Sequence, residues 1–266
     1  MTDNERVSVE IEGPIAVVTL TRADKLNALD FAMFDALVAA GRRLKREKSV
    51  RAVILRGDGR AFCAGLDFAG VGKQPRRMLT SFIRLPWRST NRFQEVCWVW
   101  RELPMPVIAV IHGVCYGGGL QIALGADFRI AAPDADLSVM EAKWGLIPDM
   151  TGSVTLTELL PLDLAKRLAM TGEHFDGARA LELGLVSEVA EDPLAAAREL
   201  AQKLAEFSPD AVAATKRVLD GAWHAKPGKA FRIERGLQFR LLRGTNHKLA
   251  RKAGAAHALP DYQDRA

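Results

Sequence analysis

The sequence predicts an α/β protein in which short strands alternate with helices. Short apolar runs rich in β-branched residues, such as 15–20 and 107–111, are typical of buried strands. Glycine-marked turns at 59–67 and 112–121 follow two such runs and lead into helical patterns. After Pro161 the strand signal thins and helical patterns dominate. We therefore expect an α/β core followed by a helical C-terminal region.

The first predicted elements are a β-hairpin and an amphipathic helix. Two β-branched runs, 7–11 and 15–20, flank the turn residues 12–14, which is the pattern of two antiparallel strands. Asp30 then precedes apolar residues at helical spacing, and the basic segment 42–46 suits the C-terminal end of that helix.

The central part of the chain alternates strands and helices around one irregular segment. Residues 68–88 are basic and punctuated by glycine and proline, which favours a mobile loop or lid. The glycine triplet Gly117-Gly118-Gly119 is expected to open a short helix. The other predicted elements are strands at 50–55, 128–131 and 137–139 and helices at 90–101 and 151–160.

The last hundred residues are predicted to be helical. Asp192 and Ser208 each stand directly before a proline, and an N-cap residue followed by proline is a strong helix start. We expect an α/β core over residues 1–194 and a separate helical region over residues 195–266. The predicted helices are 163–170, 176–183, 193–207, 209–223 and 228–248.

Composition excludes several classes of protein. The chain has 266 residues, of which 48% are hydrophobic and 26% charged, as expected for a globular protein that buries a full core. A net charge of +5 is too diffuse to indicate nucleic-acid binding, and no apolar run approaches the ~20 residues of a membrane span. The polar N-terminus and three cysteines without paired spacing favour a cytoplasmic protein with no metal site.

Each glycine-marked turn exposes backbone where a strand gives way to a helix. Glycine lets the chain turn tightly and lets a ligand approach it, and the first N–H groups of a helix have no intrahelical acceptor. Two such donors that share one oxygen form an oxyanion hole, which stabilises negative charge on a carbonyl oxygen. We therefore expect the two turns to meet at one site.

Together, five segments resemble the crotonase superfamily, also called the enoyl-CoA hydratase/isomerase family. The resemblance covers most of the chain, and the ordered set of motifs is specific although each motif alone is weak. It implies a spiral of ββα units, a trailing helical trimerisation region, and assembly as a homotrimer or hexamer. It also implies an acyl-CoA substrate, with coenzyme A as part of that substrate and no other cofactor. The segments are 22–29, 61–67, 106–119, 126–127 and 141–148.

The resemblance assigns the oxyanion hole to the main-chain N–H groups of Ala64 and Gly118. It also places Lys25, in the loop around Asn27, near the adenine end of coenzyme A. A plain loop lysine is an equally good interpretation of Lys25. The expected substrate-binding residues are Lys25, Leu26, Ala28, Ala61, Gly65, Leu66, Asp67, Gly117 and Trp144.

Three positions carry the expected acid–base chemistry: Gln121, Glu141 and Asp149. Family hydratases have glutamates at the positions of Gln121 and Glu141, and an amide cannot exchange a proton at neutral pH. Glu141 is therefore the expected proton-transferring group. Asp149 resembles the second acid of the dienoyl-CoA isomerase branch, and the alternative is that it caps the following helix. The apolar residues Trp144, Leu146 and Ile147 are expected to raise the pKa of these carboxyls.

These observations leave the reaction open. Hydration of an enoyl-CoA and shift of its double bond are about equally supported, because Gln121 leaves the two-glutamate arrangement incomplete. Thioester hydrolysis, another reaction of the same superfamily, and a non-catalytic acyl-CoA binding protein are the alternatives. Cys63 is a further candidate nucleophile, although a small apolar packing role is the better interpretation.

Overall fold

The computed structural model of the chain describes residues 6–266 and confirms the α/β class. Its strands are β1 (Val7–Glu12), β2 (Ile15–Leu20), β3 (Ala52–Gly57), β4 (Ala61–Cys63), β5 (Val107–Ile111), β6 (Val114–Tyr116), β7 (Phe128–Ala131), β8 (Asp136–Ser138), β9 (His174–Phe175) and β10 (Glu188–Val189).

Twelve α-helices lie within the described residues. They are α1 (Phe31–Leu44), α2 (Phe68–Gly72), α3 (Pro75–Ser81), α4 (Arg92–Arg101), α5 (Gly118–Leu124), α6 (Gly152–Leu159), α7 (Leu162–Thr171), α8 (Gly177–Leu183), α9 (Pro193–Ala205), α10 (Pro209–Ala222), α11 (Pro227–Leu242) and α12 (Thr245–Ala255). Two 3₁₀ helices cover Ala23–Lys25 and Met140–Trp144.

The strands form two sheets, and successive pairs of strands contribute one strand to each. The larger sheet has the order β1-β2-β3-β5-β7-β10, and the smaller has the order β4-β6-β8-β9. The pairs β3/β4, β5/β6 and β7/β8 therefore each place their first strand in the larger sheet and their second in the smaller. Strands β2, β3, β5, β7 and β10 run parallel. This arrangement is the predicted repeat of ββα units.

Local signals explain the helix starts. The Asp30 carboxylate accepts a hydrogen bond from the Met33 N–H at 2.8 Å and caps α1. Asp192 and Ser208 likewise accept backbone N–H groups at the starts of α9 and α10, with proline as the first helical residue. The predicted hairpin is also confirmed, because β1 and β2 pair antiparallel.

Helix α9 covers one face of the larger sheet. Ala197 and Ala201 are fully buried against apolar strand residues that include Ile54 and Ile108. Small side chains let the helix backbone approach the sheet closely. The boundary predicted between residues 194 and 195 falls inside this helix, whose residues Ala197 and Ala201 pack on the sheet of the core. The division into two regions stays a prediction.

The structure differs from the sequence-based expectations in three places. The segment 68–88, expected to be irregular, contains the short helices α2 and α3. The single helix expected over 228–248 is two helices, because Gly244 has extended backbone angles between α11 and α12. Strands β4 and β6 were not predicted, since three residues beside a glycine turn carry too little periodicity.

None of the helices found within residues 6–266 has the length and apolar character needed to cross a bilayer.

Candidate active site

The first glycine turn follows strand β4 and is held by the loop 26–29. The Ala64 N–H donates to the Leu26 carbonyl at 2.9 Å, and the Asp67 N–H donates to the Leu29 carbonyl at 3.0 Å. In return, the Leu29 N–H donates to the Gly65 carbonyl at 2.8 Å. Two N–H groups of this turn are therefore engaged with the loop.

Leu66 differs from Ala64 and Asp67 in this turn. Gly65 has φ = +87°, a left-handed conformation that rotates the following peptide relative to its neighbours. Among residues 6–266 the Leu66 N–H makes no hydrogen bond to a backbone carbonyl. The predicted donor, Ala64, already donates to Leu26, so its N–H is not available to a substrate oxygen. Sequence reasoning did not single out the unengaged N–H of Leu66, and the available signal was the preceding glycine.

The second glycine turn follows strand β6 and opens helix α5. Gly117 has φ = +49°, and its N–H donates to the Ser138 carbonyl at 2.9 Å. Gly118 is the first residue of α5, so its N–H has no intrahelical acceptor. Within the part of the chain that the structure describes, this N–H has no other acceptor either.

The two turns lie directly against each other. A Cβ built on Gly65 would lie 2.8 Å from the Tyr116 carbonyl oxygen and 3.7 Å from the Gly118 nitrogen. A Cβ on Gly119 would lie 2.5 Å from the carbonyl oxygen of Cys63. The predicted meeting of the two turns is therefore present, and the Leu66 and Gly118 N–H groups are among those that no backbone carbonyl of the described residues accepts.

Glu141 lies beside the second turn. It belongs to the 3₁₀ helix Met140–Trp144 and is 8% exposed. Its Oε1 accepts a hydrogen bond from Gln121 Nε2 at 2.5 Å, whereas its buried Oε2 has no partner among the described residues. A Cβ on Gly117 would lie 3.3 Å from Oε1. The carboxylate is therefore in contact with the turn that presents the Gly118 N–H.

Gln121 is buried in helix α5 and makes three hydrogen bonds. Its Oε1 accepts from the Met150 and Gly152 N–H groups, both at 2.9 Å, while Nε2 donates to Glu141. The side chain is 1% exposed. Gln121 therefore connects Glu141 to the start of helix α6.

Burial raises the pKa of the Glu141 carboxyl, because an ionised carboxylate loses hydration there. Hydrogen bonding from its own N–H and from Gln121 lowers this pKa, and the charge of Asp149 raises it again. A raised pKa suits a carboxylate that both takes and returns a proton near neutral pH.

Asp149 is half-buried, and burial raises the pKa of its carboxyl. It does not cap helix α6, because the N-cap residue of that helix is Thr151 and no side chain caps it. A hydrogen bond from its own backbone N–H acts in the opposite direction and lowers the pKa of Asp149. Its charge raises the pKa of Glu141, so the two carboxyls are close enough to interact.

The apolar pocket expected from Trp144, Leu146 and Ile147 does not enclose these carboxyls. The three side chains are 55%, 50% and 73% exposed. Trp144 instead packs on Phe68 with ring centroids 4.7 Å apart. The burial of Glu141 comes from contacts such as those with Gly117 and Gln121.

The loop predicted to bind coenzyme A stands beside the first turn. The hydrogen bond from Gly70 and the contact with Arg22 lower the pKa of Asp67. The charge of the exposed Lys25 makes a smaller contribution in the same direction. Leu26 and Ala28 are half-buried, whereas Ala61 is fully buried in β4. The binding roles of these residues stay predictions.

Asn27 organises this loop, a role that sequence reasoning missed. It is fully buried, its Oδ1 accepts the Arg22 N–H at 2.9 Å, and its Nδ2 donates to the carbonyls of Asp58 and Ala61. Its φ of +56° is a conformation that asparagine adopts more readily than most residues. The residue is therefore a structural anchor between the loop and strand β4.

Cys63 is not suited to nucleophilic chemistry. Burial raises the pKa of its thiol to about 12, so the thiolate is scarce at neutral pH. Its Sγ contacts the Asn27 carbonyl at 3.1 Å inside the core. No group of three His, Cys, Asp or Glu side chains in the described part of the chain is arranged to hold a metal ion.

Comparison with known families and proteins agrees with this geometry. The sequence model of the family described as "Enoyl-CoA hydratase/isomerase" matches residues 10–259. The chain is 32% identical over 260 residues to enoyl-CoA hydratase EchA19 of Mycobacterium tuberculosis, covering 97% of this chain and 96% of that protein. It is 31% identical to (E)-benzylidenesuccinyl-CoA hydratase of Thauera aromatica, covering 88% of this chain and 87% of that protein.

Solved structures show the same similarity. A crystal structure of an enoyl-CoA hydratase from Mycobacterium tuberculosis H37Rv superposes with a TM-score of 0.87 at 30% identity, covering 98% of this chain and 99% of that chain. Enoyl-CoA hydratase from Bacillus anthracis gives a TM-score of 0.88 at 28% identity, covering 97% and 98%. The family model and these relatives show that this chain, whose two glycine turns meet beside a buried glutamate, belongs to the enoyl-CoA hydratase/isomerase family of enzymes.

Proposed function

We propose that this protein acts on an unsaturated acyl-CoA ester by holding its thioester as an enolate while Glu141 transfers a proton. The observation that carries the proposal is the unpartnered, buried Oε2 of Glu141 next to the turn that presents the Gly118 N–H. A carboxylate oxygen with no partner, beside the turn that presents the unengaged Gly118 N–H, fits proton transfer next to a carbonyl.

Leu66 and Gly118 are the proposed oxyanion donors, in place of the pair Ala64 and Gly118. Negative charge on the thioester oxygen grows as a proton leaves or water adds at the neighbouring carbons. Two preorganised N–H groups stabilise that charge without reorganising, and loss of one such donor costs about 3 kcal/mol of transition-state stabilisation. The substrate carbonyl oxygen must therefore approach both the Leu66 and the Gly118 N–H groups.

Water addition to the enoyl-CoA is the first reaction to test, because the similar proteins named above are hydratases. Glu141 takes a proton from water, the oxygen adds at the β-carbon, and a proton returns to the α-carbon of the enolate. Asp149 is the second carboxyl near this path, since its charge reaches Glu141.

Double-bond isomerisation is the second candidate, and Gln121 is the observation that favours it. An amide cannot give or take a proton, so the hydration machinery holds one glutamate where two are usual. A shift of the double bond needs only removal of a proton from one carbon and its return to another, and Glu141 is able to do both.

Assembly as a homotrimer or hexamer and a cytoplasmic location are also part of the proposal. The helices after Pro209 leave large apolar side chains uncovered, including Trp223 at 62%, Phe231 at 52% and Phe239 at 62% exposed. Such residues are uncommon on a free surface and are enriched at interfaces between subunits.

The test compares the wild-type protein with Glu141→Gln on crotonyl-CoA, a 3-enoyl-CoA and a dienoyl-CoA, with release of free coenzyme A followed in parallel. We expect turnover of at least one ester, and a fall of about 10²–10⁴-fold in kcat for the variant. Glu199→Gln, which changes an exposed glutamate of α9, is the matched control. Unchanged turnover in Glu141→Gln would overturn the assignment, and release of coenzyme A would show hydrolysis instead.

A further inference from the structure

The hydrogen bond from Gln121 makes the two carboxylate oxygens of Glu141 different from each other. We propose that Gln121 is a positioning residue that holds Glu141 Oε1 as an acceptor and so makes Oε2 the only oxygen that exchanges the proton. The inference rests on the proposed function, because it concerns the same carboxylate. It assigns a role to the amide that stands where the family hydratases have an acid.

The orientation of the Gln121 amide follows from its backbone partners. The N–H groups of Met150 and Gly152 both point at one end of the side chain, each at 2.9 Å. Only the carbonyl oxygen accepts hydrogen bonds, so a flipped amide would place donors against donors. The Nε2 group is therefore directed at Glu141.

That orientation decides which atom of Glu141 carries the proton. Oε1 lies 2.5 Å from Nε2 and accepts its N–H, and a bond to an ionised carboxylate is stronger than one between neutral groups. A proton on Oε1 would weaken this bond, whereas Oε2 has no partner to lose. Protonation and deprotonation therefore take place at Oε2.

A glutamate at position 121 would remove this distinction. Its carboxylate would still accept the Met150 and Gly152 N–H groups, but its second oxygen would face Glu141 Oε1 at about the same short distance. Two carboxylates in contact cannot both ionise, so the pair would share one proton and one pKa would rise strongly. Gln121 thus keeps Glu141 ionised as a single base.

The test measures the pH profile of kcat/KM for Gln121→Met and Gln121→Glu. Glu141 acts as a base in its ionised form, so activity falls as the pH drops below its pKa. Gln121→Met removes the donor that lowers this pKa, and we expect the acidic limb to move up by about one pH unit. Gln121→Glu should move it further, because the added charge also opposes ionisation of Glu141.

A second readout does not depend on turnover. The Glu141 carboxyl is titrated by ¹³C NMR in protein labelled at glutamate, with the Glu141→Gln spectrum identifying its signal, and the same upward shifts are expected. Thr155→Val is the control, because Thr155 is a buried polar residue of α6 whose hydroxyl donates to the Thr151 carbonyl and, within residues 6–266, makes no hydrogen bond to Gln121 or Glu141. It should lower stability without moving the titration.

The outcomes separate the two proposals. Loss of activity in Glu141→Gln, with the wild-type acidic limb and titration retained in both Gln121 variants, would overturn the positioning role alone. Full activity in Glu141→Gln would overturn the proposed function itself. If Gln121→Met fails to fold, Gln121→Glu decides the matter, because it retains acceptors for both backbone N–H groups.

Discussion

Polar contacts hold the first glycine turn, whereas tight packing holds the second. Around the first turn, the Arg22 guanidinium bonds the Asp67 carboxylate at 2.8 Å, and Asp67 also accepts the Gly70 N–H at 2.9 Å. Around the second, a Cβ on Gly118 would lie 2.8 Å from Met150 Sδ, and one on Gly119 would lie 2.5 Å from the Cys63 carbonyl oxygen. Similar glycine motifs are thus required for different physical reasons.

The carboxylates of the two sides also differ. Asp67 is hydrogen-bonded and ion-paired, which holds its pKa below the usual value. Glu141 is buried and Asp149 half-buried, neither has a cationic partner within residues 6–266, and burial raises the pKa of both. The first turn therefore presents an unengaged N–H group alone, whereas the second turn presents one beside the carboxyls that we propose as the acid–base groups.

Gly119→Ala is expected to have the largest effect of the variants in the two turns. The new methyl group would collide with the backbone of β4, and α5 would have to move away from the first turn. We expect a loss of about 3 kcal/mol in the free energy of unfolding and a fall in kcat/KM of about 10²-fold or more. Urea denaturation and steady-state kinetics measure the two effects.

Gly254→Ala is the control for that variant. Gly254 lies in α12 with nothing within 4 Å of a built Cβ, so alanine should stabilise the helix by up to about 1 kcal/mol and leave the kinetics unchanged. A fully active Gly119→Ala protein would show that the packing of the second turn does not set the site geometry.

Gly65→Ala tests the first turn and should have a smaller effect on stability. At φ = +87° an L-residue is strained, and the methyl group would also press on the Tyr116 carbonyl oxygen at 2.8 Å. We expect about 2 kcal/mol of destabilisation and a fall in kcat of about 10²-fold, because the peptide that presents the Leu66 N–H would rotate.

The matched variant is Gly13→Ala, in the turn between β1 and β2. Gly13 also has positive φ, +59°, but open space around a built Cβ, so it reports the cost of backbone strain alone. It should lose about 1 kcal/mol of stability and keep its kcat. Equal kinetic losses in the two variants would contradict a specific role for the Leu66 N–H.

The smallest expected effect is that of Asp149→Asn, which tests the interaction between the Asp149 and Glu141 carboxyls. The charge of Asp149 raises the pKa of Glu141, so its removal should lower that pKa and move the acidic limb of kcat/KM to lower pH. We expect a shift below about one pH unit, measured in constant ionic strength buffers. A shift to higher pH would contradict the interaction, and Asp163→Asn, at an exposed carboxylate of α7, should leave the limb unmoved.

Predictions from sequence succeeded where short-range patterns decide the structure. The hairpin and the starts of α1, α9 and α10 depend on β-branched runs and on side chains that cap the next backbone N–H groups. They failed for the three-residue strands β4 and β6, which exist because neighbouring strands pair with them. They also missed the two helices within 68–88.

At the site, the residue types can be read directly from the sequence: glycines that permit left-handed turns, one glutamate, and an amide in place of a second acid. Which of their groups are free to act depends on contacts between distant segments of the folded chain. The Ala64 N–H is engaged and the Leu66 N–H is not, because carbonyls of the loop 26–29 accept the one and not the other. Likewise, Gln121 reaches Glu141 only through folding, since 20 residues separate them along the chain. Hydrogen bonds between distant segments leave no local pattern, so they could not be read before the fold was known.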